Sequence, residues 1–157
     1  GAAGGVGHLA VQFAKHAGAR VSATGSARNR EFVLGLGADE YVDYASQDVG
    51  EIVSGVDVAF DTVGGQTTQT LLPTVREGGV LVVIAAAPPE AEAAARGFRA
   101  ELLVMSTNAK QLSEIGELAA AGEVTVEIAG TFALDDVAKA HELSEAGHVR
   151  GKLILTP

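Results

Sequence analysis

Gly1-Ala2-Ala3-Gly4-Gly5-Val6-Gly7, with a helix-periodic run from His8 to Ala19 directly behind it, is the stretch that decides the fold. Glycines at 1, 4 and 7 permit a tight turn, close approach of backbone to a pyrophosphate, and close packing of helix on strand. A phosphate seated there meets the free N–H groups and the positive dipole end of a helix N-terminus. The predicted apolar face of that helix carries Leu9, Ala10, Phe13, Ala14 and Ala17, with Lys15 and Arg20 off it. In a complete dinucleotide-binding fold a hydrophobic strand runs into such a turn, and here the sequence starts at the turn itself. The expectation is an α/β, Rossmann-type doubly wound parallel sheet without its first strand, cut from a larger protein.

Working outward, strand-like and helix-like segments alternate to the end of the chain. Strands are predicted over residues 21–24, 41–44, 56–60, 80–85, 101–105, 124–128 and 152–155. Helices are predicted around Phe32, Val33 and Leu36, around Val49 and Ile52, through Leu71 and Leu72, after the Pro88-Pro89 break to about Arg96, along the stripe Leu112, Ile115, Leu118 and Ala119, and over residues 135–146. Gly78-Gly79 reads as a turn. This βαβ rhythm implies right-handed crossovers and a parallel sheet. If the first, central strand is missing, roughly 8–10 backbone hydrogen bonds at ~1 kcal/mol net each go with it. That rivals the stability of a whole domain, so the chain is expected to be weak alone or to recruit residues 152–155 into the gap.

Composition narrows the class. Apolar residues make up 47% of the 157 and aromatics only 4%, which suits a core of Val, Leu, Ile and Ala in a sheet buried on both faces. A net charge of −9 argues against a nucleic-acid partner. There is no Cys, hence no disulfide and no thiolate metal site within these residues. No apolar run nears the ~20 residues a membrane span needs. A cytoplasmic protein is expected.

The second chemical signal is an absence. An NAD site usually places an acid about 20 residues after the glycines, on the adenosine ribose. From His8 to Arg30 there is no acidic residue; Ser26, Arg28, Asn29 and Arg30 stand in its place. A ribose 2′-phosphate suits a hydroxyl and a guanidinium and is repelled by carboxylate. The alternative is that both arginines are solvated residues of the next helix, at an end whose dipole disfavours cations. NADPH is favoured over NADH. Of the four histidines, His8 and His16 are eight apart, and neither they nor His141 and His148 have a second ligand at metal spacing. Surface or capping roles are expected for them. Asp61, ending a buried strand, reads as a turn residue rather than a catalytic acid. No Ser/His/Asp set and no Tyr-x-x-x-Lys occurs, which counts against short-chain dehydrogenases; a methyltransferase would want the missing acid.

Taken together and in order, GAAGGVG, ATGSARNREFVLGLGADEYVDY, DVAFDTVGG, REGGVLVVIA and AHELSEAGHVRGKLILTP resemble the zinc-free quinone oxidoreductase branch of the medium-chain dehydrogenase/reductases. The resemblance spans nearly the whole chain, with Gly1 where the family loop has Ala. It implies an NADP-binding Rossmann domain over residues 1–157, with about 150–157 returning towards a substrate domain upstream. It implies cofactor contacts from Gly4, Gly5, Val6 and Gly7, from Gly25, Ser26 and the basic cluster with Tyr44, and from Val63, Ile84 and Ala85. Some relatives have Lys where Asn29 stands, so Arg28 or Arg30 has to serve. The implied reaction is hydride transfer from NADPH to a quinone or an α,β-unsaturated carbonyl, with no catalytic acid or base and no metal ligand assigned in this chain. Relatives dimerise through the edge strand that corresponds to residues 101–105 (Glu101 to Met105), so a homodimer is expected. Two other readings stay open: a non-enzymatic NADPH-binding module, and the cofactor domain of a zinc alcohol dehydrogenase.

Overall fold

The run Val80-Leu81-Val82-Val83 is apolar on both faces, and it becomes the middle of a three-stranded parallel sheet. The computed structural model describes residues 1–157. Its elements are α1 (Gly7–His16), β1 (Ser22–Gly25), α2 (Arg30–Gly35), β2 (Glu40–Asp43), α3 (Val49–Ile52), β3 (Val56–Asp61), α4 (Gln66–Leu71), β4 (Val75–Val83), α5 (Glu90–Ala95), β5 (Arg99–Leu102), α6 (Ala109–Ala120), β6 (Ile128–Ala133), α7 (Val137–Glu145) and β7 (Lys152–Thr156). The strands form three sheets, ordered β1-β2, β3-β4-β5 and β6-β7. The fold class is α/β with parallel sheets, as the alternation predicts.

Contacts divide the chain into two compact units. The first comprises Gly1, Thr24–Ala27 and Val42–Thr107. Its core is Ala59, Leu72, Val75, Leu81, Val83, Ala93, Phe98 and Ala100, in which Leu81 and Val83 are fully buried. Burial on this scale contributes about 1.5–3 kcal/mol for each large aliphatic side chain. The predicted turn at Gly78-Gly79 is instead a bulge inside β4, where Val56 pairs with Val75 and Val58 with Val80. Gly78 takes φ +76 there and its N–H donates to the Gly97 carbonyl at 2.8 Å. β5 stops at Leu102, short of the predicted Met105, because its partner β4 has ended; the last bond runs from Leu103 N–H to the Val83 carbonyl.

The second unit comprises Ala2–Ala23, Arg28–Tyr41 and Asn108–Pro157. Its core is Ala3, Val11, Ala23, Val33, Ala38 and Tyr41. The buried face of α1 is His8, Val11 and Gln12, not the Leu9–Ala10–Phe13 face expected from hydropathy, whose members are half-buried. The reason is that Gln12 supplies bonds a strand would otherwise make. Its Nε2 donates to the carbonyls of His8 and Thr125, both at 2.9 Å, and its Oε1 accepts from Thr125 N–H at 2.8 Å. With Thr125 bonded this way, the strand expected over residues 124–128 begins only at Ile128. Residues 152–155, expected to be recruited by the first part of the sheet, pair with β6. Leu112 and Ile115 of α6 are exposed, so its apolar stripe has no partner in this unit. No helix is long and apolar enough to cross a membrane.

Gln12→Leu removes every side-chain bond to Thr125 while filling a similar volume. We expect a loss of about 1 kcal/mol, the net worth of bonds to partly buried peptide groups, read as a lower urea midpoint. A midpoint unchanged or raised would show that the apolar face, not the bonding, decides how α1 sits.

Candidate nucleotide site

In the second unit the glycine turn delivers the chain into α1 with no competing acceptor. Val6 is the N-cap, no side chain caps the helix, and its first turn holds no acid. His8 N–H closes on the Gly4 carbonyl at 3.1 Å and Leu9 N–H on the Val6 carbonyl at 3.2 Å, so the N–H groups ahead of them in the turn are the ones without a helical partner. Gly4 and Gly5 are half-buried, Val6 is exposed and Gly7 is buried. The carbonyls of the turn are bonded inward. Gly151 N–H donates to the Ala3 carbonyl at 2.9 Å, and His8 Nδ1 meets the Gly4 carbonyl at 2.8 Å. His8, expected at the surface, is wholly buried.

The two arginines of the basic segment after β1, Arg28 and Arg30, have different surroundings. Arg30, the first residue of α2, donates to the Tyr41 carbonyl at 3.2 Å and lies over the Tyr41 ring, 5.8 Å from its centroid. Arg28 is exposed, and the one bond it makes here runs from Nη2 to the His148 carbonyl at 3.2 Å. Near α1, Lys15 bonds the Asp39 carboxylate, and with Val21 N–H it holds that carboxyl below its ordinary pKa. The pair is exposed and adds little stability.

In the first unit the remaining predicted residues follow strand ends. Gly25 closes β1 and Ser26 follows it; Tyr44 comes one residue after β2, 58% exposed, and its N–H donates to the Gly25 carbonyl at 3.3 Å. The Gly1 nitrogen donates to the Thr24 carbonyl at 3.3 Å, and a Cβ on Gly1 would overlap Thr62 Oγ1. That crowding accounts for glycine where the resemblance has alanine.

Asp61 organises the end of β3. It is 1% exposed, and its Oδ1 accepts from the N–H groups of Val63 and Gly64 at 2.9 and 3.0 Å. Its Oδ2 accepts from Thr68 Oγ1 on α4, and its own carbonyl accepts from Ile84 N–H at 3.1 Å. The turn it shapes uses Gly64 at φ +82, where a side chain would meet the Ala86 Cβ at 2.9 Å. Asp61 is thus the turn residue its sequence context predicts, and it also draws Val63 and Ile84 to one place. Val63 and Ala85 stay exposed beside it. Thr68, the second anchor, gives no sequence signal beyond lying in the first turn of the next helix. No group of three or more His, Cys, Asp or Glu could hold a metal ion in this chain.

A model of the zinc-binding dehydrogenase family matches residues 36–155. The chain is 33% identical over its full length to a 2-methylene-furan-3-one reductase from Solanum lycopersicum, covering 39% of that protein. It is also 33% identical, over 99% of its length, to an NADPH-dependent alkenal/one oxidoreductase of Arabidopsis thaliana described as chloroplastic, again covering 39%. Among solved structures, the quinone oxidoreductase from Coxiella burnetii superposes with a TM-score of 0.93 at 35% identity, over 99% of this chain and 50% of that one. The chain thus spans about two fifths to one half of the length of the proteins it matches.

The Asp61 arrangement predicts an asymmetric response to substitution. Asp61→Asn keeps an oxygen for the Val63 and Gly64 N–H groups and is expected to leave the thermal midpoint nearly unchanged. Asp61→Leu strands two amides and a hydroxyl, and should cost about 3 kcal/mol or more. Equal melting of the two variants would contradict the role given to the carboxylate.

Proposed function

Since the chain belongs to the zinc-binding dehydrogenase family, within the medium-chain dehydrogenase/reductases, we propose that residues 1–157 are the cofactor-binding domain of an NADPH-dependent reductase of quinones or α,β-unsaturated carbonyls. The observation that carries the reading is the acid-free, basic segment after β1: Gly25-Ser26-Ala27-Arg28-Asn29-Arg30. A carboxylate there would bond a ribose hydroxyl and repel a phosphate, whereas this segment offers guanidinium.

The residues fit such a cofactor. Gly4, Gly5, Val6 and Gly7 present an uncapped helix start to a pyrophosphate. Arg28 is the better 2′-phosphate residue, because Arg30 is occupied by Tyr41 in carbonyl and ring contacts. Gly25 and Ser26 form the turn that leaves β1, and Tyr44, exposed after β2, is the ring proposed for the adenine. Val63, Ile84 and Ala85 give apolar contact at strand ends, suited to the nicotinamide and its ribose. Bound NADPH supplies the hydride. This chain's residues orient the cofactor, and Val63, Ile84 and Ala85, just beyond the ends of β3 and β4, would set apolar side chains beside the transfer. No residue of the chain is assigned as acid or base.

The reading takes the zinc-free branch of the family and a cytoplasmic location, and stoichiometric zinc in the purified full-length protein would contradict the former. It also takes a homodimer through the β5 edge. β5 ends the sheet order, and Leu103, Val104 and Met105 beyond it are 55%, 73% and 83% exposed. A non-enzymatic NADPH-binding module is the second reading; it binds the cofactor and turns over no quinone.

Two measurements test these assignments in the full-length protein. Titrations should give tighter NADPH than NADH, and Arg28→Ala should weaken NADPH by about tenfold to a hundredfold, the range of a charge-assisted bond, leaving NADH unchanged. Equal affinity for both cofactors would sink the 2′-phosphate assignment. Light scattering should report a dimer that Val104→Lys shifts to monomer; a monomeric parent would remove the edge-strand interface.

A further inference from the structure

His8 has a bonding pattern that only one form of its ring can satisfy. Nδ1 lies 2.8 Å from the Gly4 carbonyl oxygen, which can only accept, so Nδ1 bears the proton. Nε2 lies 3.3 Å from the Glu127 backbone nitrogen, which can only donate, so Nε2 is bare. The neutral Nδ1–H tautomer fits both partners. The other tautomer and the imidazolium do not.

The second partner is far away in sequence. Glu127 stands just before β6, and its carbonyl accepts from Lys152 N–H at the start of β7 at 2.8 Å. The neighbouring Gly151 N–H takes the Ala3 carbonyl. Two successive carbonyls of the glycine turn are therefore tied to the place where β6 and β7 begin, Ala3 directly and Gly4 through the imidazole, which adds to the bond that the Gly4 carbonyl accepts from the His8 backbone N–H at 3.1 Å.

All peptide bonds are trans, and in a trans peptide the C=O and the following N–H point in opposite directions. Drawing the Ala3 and Gly4 carbonyls inward turns the N–H groups of Gly4 and Gly5 outward. The Gly4-Gly5 peptide is the one most free to flip, because neither flanking residue has a Cβ. We infer that His8 is a positioning residue for the dinucleotide: it holds the Gly4-Gly5 peptide in the orientation that presents Gly5 N–H to the pyrophosphate. This rests on the cofactor reading above.

The experiment uses the full-length protein with three variants, NADPH titration and thermal melting. His8→Leu keeps bulk and the backbone bond to the Gly4 carbonyl, and loses both imidazole bonds. His8→Asn can still donate to the Gly4 carbonyl, and His8→Gln can still accept from Glu127 N–H. His8→Leu should raise the NADPH Kd by about tenfold, and raise KM with kcat at saturation little changed. His8→Asn should recover most of the affinity and His8→Gln should not, even where their melting temperatures agree. A Leu variant that binds like the parent, or Asn binding no better than Gln, overturns the inference; if the Leu variant fails to fold, the Asn–Gln comparison decides alone. The imidazole nitrogen resonances of the apo protein give a readout independent of cofactor, with the Nδ1–H tautomer expected and any other form overturning the inference. A parent that shows this tautomer yet binds no dinucleotide overturns the cofactor reading instead, and the proposed role of His8 falls with it.

Discussion

Where a parallel strand stops, its last N–H and C=O groups still need partners, and the rest of this structure depends on how that need is met. The ends are partly shielded from water, and a peptide group left unpaired where it is buried costs about 1–3 kcal/mol. Buried side chains take over. Asp61 accepts two N–H groups beyond β3, Gln12 takes both backbone groups of Thr125, and His8 takes Glu127 N–H before β6. No buried side-chain polar atom is left without a partner. In a core filled mostly by Val, Leu and Ala, these three polar residues fix where the strands end, and so where the turns beside them begin.

The same need explains why the turns can be rich in glycine without being loose. Glycine alone gives the chain freedom at Gly64 and at the Gly4-Gly5 peptide. Each is then bonded to a buried, polar side chain held in one orientation by its remaining partners: Asp61 by Thr68, His8 by Glu127. Freedom permits the conformation and the side chain selects it. Preorganised donors of this kind lose little on binding, because their ordering is already complete in the free protein.

The alternation of strands and helices was legible because it depends on local pattern, and apolar runs such as Val80 to Val83 report it well. The family was legible from motif order. The glycine turn and the acid-free segment up to Arg30 needed only spacing and charge sign. Strand ends were not legible. The β6 start at Ile128 is set by Gln12, 113 residues before the Thr125 it bonds, and the β5 end is set by where β4 stops. His8 was misplaced for a related reason. Hydropathy assigns a histidine to the surface, whereas burial here follows from two exact-fit partners that no local window contains. A better signal lay in the spacing of His8, Val11 and Gln12, which share one helical face.

Charge follows a similar logic of arrangement over amount. The chain carries −9 overall, a field that opposes an anionic ligand at long range. Binding a dinucleotide phosphate then requires local terms that outweigh it within a Debye length, about 8 Å at physiological salt. Removing carboxylates from residues 8–30 takes away the nearest repulsion, and the uncapped start of α1 adds a fixed positive end. In the proposed site the full charge is Arg28's. Its single bond to the His148 carbonyl restrains one guanidinium nitrogen and leaves the others of its five N–H donors for a phosphate. An arginine already restrained gives up less rotamer freedom when it binds, which is why Arg28, held by one nitrogen, is the residue proposed for the 2′-phosphate rather than Arg30.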